Sequence, residues 1–235
     1  MSKIEWTETT WNPITGCNKI SEGCANCYAE KMANRLCLMR QKKYKNGFQV
    51  TMHEGVLSDP LGWKNSRMVF VCSMSDLFHE DVPFDFIKQV FSIMSVADNH
   101  TFQVLTKRSD RLAEFAESIN WPSNVWAGVT VENAKYKYRI NDLNRVNTPV
   151  RFLSIEPLIA PVGSLDLSFI DWVIVGGESG PKARPMEKAW VDEIKLQCQK
   201  SNTPFFFKQW GGVNKKKAGR MLDSRTYDAM PLAFV

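Results

Sequence analysis

Six short runs of β-branched, aromatic and other apolar residues recur along the 235-residue chain, and they restrict its fold more than any other feature. Most of these runs are continuously apolar rather than alternating, which is typical of strands buried on both faces of a parallel sheet. We therefore predict strands at Met68–Cys72, Thr101–Leu105, Val125–Val131, Val150–Ile155, Trp172–Val175 and Pro204–Phe207, with an additional extended stretch at Phe48–Met52.

Helical patterns lie between the predicted strands. Their apolar residues recur every three or four positions, the period of one helix face. The stripes are Ile87, Val90, Phe91 and Met94; Leu112, Phe115, Ala116 and Ile119; and Trp190, Ile194 and Cys198. Strands that alternate with helices predict right-handed βαβ units.

The expected fold is α/β, a partial or complete (β/α) barrel of mostly parallel strands, with an open doubly wound sheet as the alternative. No linker or low-complexity segment interrupts the chain, so we expect residues 1–235 to form a single domain.

Polar residues or glycines follow each predicted strand. In parallel α/β folds the carboxyl ends of the strands meet at one face, where binding sites are built. The residues concerned are Ser73, Ser75, Asp76, Lys107, Arg108, Glu132, Asn133, Glu156, Gly176, Gly177, Glu178, Lys208 and Trp210. For Ser75, Asp76 and Asn133, which precede helical patterns, capping of a helix is the alternative interpretation.

Three cysteines form a C-x6-C-x2-C pattern, Cys17, Cys24 and Cys27, on a glycine-containing segment, residues 16–28. Closely spaced thiols of this kind ligate one metal centre together. Three thiolates on a four-iron–four-sulfur cubane leave one iron open for a small chelating cofactor. Zinc is the alternative, but a closed zinc site needs a fourth ligand, and the sequence has no second C-x2-C or paired histidine.

Composition gives weaker indications. Hydrophobic residues make up 44% of the chain, as in ordinary globular proteins, and no apolar run approaches the ~20 residues of a membrane-spanning helix. The first residues lack the apolar core of a signal peptide, so we expect a cytoplasmic protein with no membrane partner. The net charge of +5 weakly favours polyanions.

Several motifs together resemble a known family. Cys24-x-x-Cys27-Tyr28 is similar to the cluster loop of the radical S-adenosylmethionine superfamily, although the first gap here is longer. A closer resemblance, over nearly the whole chain, is to the phage-associated three-cysteine-motif family, a domain of unknown function. The motifs that carry it are Trp11-Asn12-Pro13-x-x-Gly16-Cys17, Ser73-Met74-Ser75-Asp76-Leu77-Phe78-His79, Leu105-Thr106-Lys107-Arg108, Gly176-Gly177-Glu178-Ser179-Gly180, Lys208-Gln209-Trp210-Gly211 and Gly219-Arg220-x-Leu222-Asp223.

The superfamily resemblance implies a (β/α) barrel enzyme that holds a four-iron–four-sulfur cluster and S-adenosylmethionine and generates a 5′-deoxyadenosyl radical. It also implies an electron donor such as flavodoxin or ferredoxin, and a substrate that includes a nucleotide or nucleic acid among the candidates. On this interpretation Cys17, Cys24 and Cys27 are the metal ligands.

The other strand-end residues receive candidate roles within the same interpretation. Lys107 and Glu156 are candidate catalytic residues, and Arg108, Lys208 and Trp210 are candidates for substrate binding. The candidates for cofactor binding are Tyr28, Ser73, Ser75, Asp76, Glu132, Asn133, Gly176, Gly177 and Glu178. Two other functions stay open at this point: a nucleic-acid-binding protein with a structural zinc site, and an iron–sulfur regulatory module without catalysis.

Overall fold

The structure, a computed structural model, describes residues 4–231 and contains a seven-stranded sheet in which every neighbouring pair of strands is parallel. The strands are β1 (Thr9–Trp11), β2 (Ile14–Thr15), β3 (Thr51–Met52), β4 (Met68–Val71), β5 (Thr101–Thr106), β6 (Val125–Thr130), β7 (Arg151–Ile155), β8 (Trp172–Gly176) and β9 (Phe205–Gln209). The order in the sheet is β1-β4-β5-β6-β7-β8-β9, and β2 pairs separately with β3. The sheet curves into a half-barrel, which confirms the predicted partial (β/α) barrel.

The helices are α1 (Tyr28–Leu38), α2 (Phe84–Val96), α3 (Ser109–Ala116), α4 (Tyr138–Asn144), α5 (Lys188–Ser201) and α6 (Lys215–Ala218). The stripes predicted for α2 and α5 lie on those helices and are mostly buried. For α3, the prediction extended too far, because the helix ends at Ala116 and Ile119 lies beyond it. Within residues 4–231, no helix combines the length and apolar character needed to cross a bilayer.

Both faces of the sheet are covered, which explains why the strand sequences are continuously apolar. On the convex face, residues such as Val69, Phe102 and Phe207 belong to one large core with the apolar sides of the helices. On the concave face lies a second cluster whose aromatic members are Trp6, Trp126, Phe152, Trp172 and Phe206. Trp172 is fully buried, and its ring lies 5.9 Å from those of Phe152 and Phe206. This aromatic cluster fills the part of the half-barrel near the amino-terminal ends of the strands, here called its lower part.

All six predicted strands are present, within one or two residues of the predicted bounds. The stretch predicted at Phe48–Met52 does not join the main sheet: only Thr51 and Met52 are extended, in a short antiparallel pair with β2. Strand β1 was not predicted, because its three residues, Thr-Thr-Trp, form no apolar run. It nonetheless pairs with β4 and begins the half-barrel.

Residues 227–229 cover part of the outer edge of β9. The amide of Phe207 donates to the carbonyl of Tyr227 at 2.9 Å, and Phe206 forms an antiparallel bridge with Asp228. The indole nitrogen of Trp172 also donates to the carbonyl of Ala229, at 2.8 Å. Residues 227–229 thus partner β9 and lie against the concave aromatic cluster.

Candidate functional site

The segment that carries Cys17, Cys24 and Cys27, here called the cysteine loop (residues 16–28), begins at the carboxyl end of β4. Gly16 forms a parallel bridge with Ser75. Its amide donates to the carbonyl of Met74 at 3.0 Å, and the Ser75 hydroxyl donates to the Gly16 carbonyl at 2.6 Å. The loop therefore starts as an extension of the sheet, at the edge where the strand exits meet.

Gly16 is required at this junction by its backbone. Its φ is +87°, and a Cβ there would lie 2.1 Å from the carbonyl oxygen of Gln49. We expect Gly16→Ala to lower the free energy of unfolding by about 2 kcal/mol or more, because it combines left-handed strain with a backbone clash. Gly55→Ala is the matched control, since a Cβ at Gly55 meets nothing within 4 Å. Urea unfolding of both variants measures the difference, and equal losses would show that Gly16 has no special role.

The three cysteines of the loop are free thiols, each partly buried. Burial, with the nearby carboxylate of Asp76, raises the pKa of Cys17 to about 11, although Arg108 Nη1 donates to its Sγ at 3.5 Å. Burial also acts to raise the pKa of Cys24, but the charge of Lys107 and the hydroxyl of Ser21 outweigh it, and the pKa is lowered. The thiols thus lie in unequal electrostatic surroundings.

A three-thiol donor set suits an iron–sulfur cubane. Within residues 4–231, no group of three or more His, Cys, Asp or Glu side chains converges as a single metal ion requires. In a cubane each thiolate bonds a different iron, so the sulfurs need not meet around one atom. The donor chemistry of the loop therefore fits a cluster.

Three carboxylate–arginine pairs whose carboxylates are buried, here called the buried ion pairs, hold the cysteine loop. The first is Asp76–Arg108, with Nη1 to Oδ2 at 3.2 Å. Asp76 also accepts from the Thr106 hydroxyl at 2.6 Å, which links the exits of β4 and β5. Arg108 reaches the start of the loop, where it contacts Cys17 Sγ and donates to Asn18 Oδ1, and its Nε donates to Glu80 at 2.7 Å.

The second pair, Glu132–Arg139, supports the middle of the loop. Glu132 is completely buried and accepts from Arg139 Nη1 at 2.8 Å and from the Ser21 hydroxyl at 2.5 Å. A Cβ on Gly23 would lie 2.5 Å from Glu132 Cγ, so the loop rests directly on this side chain. The ammonium of Lys107 lies 3.7 Å away on the same carboxylate.

The third pair, Glu178–Arg184, holds the end of the loop. Arg184 donates to both carboxylate oxygens of Glu178, at 2.6 Å and 3.0 Å. The same carboxylate accepts from the Asn26 amide nitrogen at 2.9 Å. Burial acts to raise the pKa of Glu178, but the hydrogen bonds from Arg184 prevail and the pKa lies below its usual range. Buried carboxylates are costly unless paired in this way.

Glu156 and Lys208 form a further pair on the concave side. The ammonium of Lys208 lies 2.7 Å and 3.0 Å from the two oxygens of Glu156. Lys208 follows Phe206 by two residues and Glu156 follows Phe152 by four, so both side chains lie on the face of the aromatic cluster. Gly176 lies between them, where a Cβ would contact the Glu156 carboxyl carbon at 3.1 Å.

The other predicted site residues serve structural contacts. The Tyr28 hydroxyl donates to the Ser73 carbonyl at 2.6 Å, and the Ser73 hydroxyl donates to Asn12 at 3.1 Å. Asn133 caps a short 3-10 helix by accepting from the Lys135 amide, as the capping alternative predicted. A Cβ on Gly177 would lie 2.0 Å from the Trp210 carbonyl oxygen.

The indole of Trp210 packs against Phe207, which belongs to the convex core, and donates to the Met221 carbonyl at 2.8 Å.

Sequence reasoning missed Arg139 and Arg184, which neutralise two of the buried carboxylates. A signal was present, since each arginine follows its carboxylate by six or seven residues. Arg139 also stands between Tyr138 and Ile140 in a short helix, yet its side chain is buried. A buried carboxylate at a strand end requires a cationic partner, so an arginine that is close in sequence is the first candidate for that partner.

The fold and the site define an α/β half-barrel protein with a three-cysteine loop at the carboxyl ends of its strands. The sequence profile of the family described as "Protein of unknown function (DUF5131)" matches residues 1–231, and the chain belongs to this family. No curated protein matches the sequence.

Among solved structures, spore photoproduct lyase is similar in fold. Its complex with dinucleoside spore photoproduct is 11% identical, with a TM-score of 0.47, and the match covers 80% of this chain and 59% of that chain. A mutant with bound AdoMet and dinucleoside spore photoproduct is 10% identical, with a TM-score of 0.47, and the match covers 80% of this chain and 60% of that chain. The present chain thus spans about three-fifths of the length of these proteins.

Proposed function

We propose that this protein is a radical S-adenosylmethionine enzyme whose single domain, residues 1–235, holds a four-iron–four-sulfur cluster through Cys17, Cys24 and Cys27 in the reducing cytoplasm. The observation that carries the proposal is the cysteine loop itself: three free thiols on one segment at the carboxyl edge of a parallel half-barrel. When bound, the cluster and S-adenosylmethionine supply one-electron cleavage of the cofactor to a 5′-deoxyadenosyl radical. The electron comes from a donor such as flavodoxin or ferredoxin.

The buried ion pairs position the thiols. Because each pair reaches a different part of the loop, its start, middle and end are held independently. A rigid loop keeps the three sulfurs at fixed separations, which a cubane requires of its ligands. Their carboxylates are already engaged by arginines, so Asp76, Glu132 and Glu178 act on the cofactor mainly through the loop.

The groups left to meet the cofactor and the substrate lie on the concave side. Lys107, about one-fifth exposed, places a cation beside the loop, where it binds a carboxylate or phosphate. The carboxylate of Glu156 accepts a proton or a hydroxyl donor, and Lys208 keeps it oriented. Backbone groups at Ser73, Ser75, Asn133, Gly176 and Gly177, with the Tyr28 ring, complete the proposed cofactor surface. Substrate contacts by Arg108 and Trp210 stay a prediction, since Arg108 is engaged by Asp76 and Glu80 and Trp210 packs against the convex core.

The aromatic cluster beneath these groups excludes water from the lower half-barrel. The site thus has an apolar floor, which would limit the access of bulk water to groups bound above it.

Anaerobic reconstitution with iron and sulfide tests the proposal. We expect a brown protein with broad absorbance near ~400 nm, iron and sulfide by chemical analysis, and 5′-deoxyadenosine after addition of S-adenosylmethionine and dithionite. A colourless protein that retains zinc would contradict it. A stable cluster that never cleaves the cofactor would indicate a regulatory module instead.

A further inference from the structure

The positive charge of the chain is concentrated in one segment, residues 31–53, outside the site already described. This segment contains six cations and no Asp or Glu: Lys31, Arg35, Arg40, Lys42, Lys43 and Lys45. Because the whole chain carries +5, the rest of it carries a net charge of −1. The segment is therefore a positive surface on an otherwise nearly neutral protein.

These cations are available to a partner. Among the described residues, none of the six lies within salt-bridge distance of a carboxylate, whereas cations elsewhere, such as Lys188 and Lys195, share Asp223. Five of the six are exposed. The half-buried exception is Lys43, whose ammonium donates to the Asn12 carbonyl at 2.7 Å. Uncompensated clusters of this kind attract polyanions.

The same segment forms a concave pocket of about 770 Å³, here called the basic pocket, lined by Arg40, Lys42, Lys43, Lys45, Met52 and His53 among others. This volume lies in the range of pockets that enclose a small ligand, about 300–1,000 Å³. A phosphate-bearing chain can follow these cations, because its successive anionic groups can enter the concavity one after another.

Exposed apolar side chains accompany these cations along the chain: Met52 lines the basic pocket, and Leu38 and Met39 lie in sequence between the lining residues Cys37 and Arg40. Leu38 and Met39, at the end of α1, are 86% and 57% exposed, and Met52 is 41% exposed. Proteins that bind single-stranded nucleic acid combine cations that track the backbone with side chains, most often aromatic rings, that contact the base faces. Here Leu38, Met39 and Met52 offer apolar surface for that contact. A duplex keeps its base faces stacked inside and offers nothing to these apolar groups.

The basic pocket is connected to the cysteine loop. The Cys17 amide donates to the Phe48 carbonyl at 3.2 Å, and Asn12, which holds Lys43, also accepts from Ser73 and Met74 at the exit of β4. The segment that forms the basic pocket is therefore hydrogen-bonded to the start of the cysteine loop at Cys17.

We propose that the basic pocket binds the phosphate backbone of single-stranded nucleic acid. This inference rests on the proposed function, and it identifies single-stranded nucleic acid as the substrate class of the proposed site. The binding itself depends only on the pocket and is measured separately from the chemistry.

Fluorescence anisotropy with a labelled oligothymidylate of about 16 nucleotides tests the inference on the full chain. The pocket variant is Lys42→Glu/Lys45→Glu, and the control is Lys88→Glu/Lys200→Glu, which makes the same charge change at exposed helix positions elsewhere. At equal salt we expect the pocket variant to bind at least about tenfold more weakly and the control to stay within about twofold of wild type. Between about 50 and 200 mM salt, the slope of the logarithm of the binding constant against the logarithm of the salt concentration should fall in magnitude by about 1.4 or more in the pocket variant.

Equal losses in both variants, or wild-type binding that does not depend on salt, would overturn the inference. Tighter binding of a duplex of the same length, of phosphatidylserine vesicles or of an acidic protein would also overturn it. Cluster formation and oligonucleotide binding are measured on the same preparation of the full chain. A wild-type protein that forms a cluster but does not bind the oligonucleotide would thus reject the pocket alone, and a wild-type protein that binds it but forms no cluster would reject the proposed function alone.

Discussion

The Cys27→Ala variant should fail to form a cluster after anaerobic reconstitution, with loss of the absorbance near ~400 nm and of 5′-deoxyadenosine production. Cys27 ends the cysteine loop and directly precedes α1. Removing one of three ligands leaves two irons without protein ligands, and a cubane held by two thiolates is not retained. The readouts are iron content, the absorption spectrum and product formation with dithionite.

Cys37→Ala is the control for this experiment. Cys37 is also a free, partly buried thiol, but it lies near the other end of α1 and contacts the Lys45 carbonyl. We expect it to retain the cluster and cofactor cleavage. If Cys27→Ala kept full iron content, or if both variants lost it alike, the assignment of the three ligands would be wrong.

The second large effect is expected from Glu132→Gln. This change removes the charge that neutralises Arg139, while both side chains are buried, with relative exposures of 0% and 1%. Breaking a buried ion pair by changing one partner costs about 3–5 kcal/mol, because the other charge stays buried without compensation. We expect the free energy of unfolding, measured by urea denaturation, to fall by that amount. The Ser21 hydroxyl would also lose a charged acceptor, which loosens the middle of the cysteine loop.

Glu117→Gln provides a matched comparison. Glu117 pairs with Arg145 at 2.5 Å, but the side chains are 62% and 53% exposed. Surface pairs contribute about 0–1 kcal/mol, so this substitution should change stability little. The double variant Glu132→Gln/Arg139→Met should lose less stability than Glu132→Gln alone, because it also removes the arginine charge that would be left buried without a partner. Equal effects of Glu132→Gln and Glu117→Gln would contradict the role assigned to the buried pair.

Much of the fold is encoded locally and was predictable. The runs at Thr101 and Val125 have the length and the β-branched composition of buried strands, and they form β5 and β6 at those places. Strand β1 was not predictable, since Thr9–Trp11 becomes a strand through pairing with β4, almost sixty residues later. The half-barrel, likewise, depends on the curvature of the sheet rather than on any one segment.

The candidate site was predictable in position but not in detail. The convergence of strand exits follows from the parallel order, so Asp76, Glu132 and Glu178 were identified at the correct edge. Their contacts depend on tertiary structure: Arg108, predicted to contact substrate, is buried on Asp76 and Glu80. The ligand roles of the three cysteines stay a prediction.

The pairing of β9 with residues 227 and 228 limits how this protein can associate. An uncovered outer strand presents unpaired amides and carbonyls that recruit strands from other molecules. Here residues 227 and 228 occupy such groups at Phe206 and Phe207. A strand from a second copy or another protein would therefore have to displace residues 227 and 228 to extend the sheet at Phe206 and Phe207.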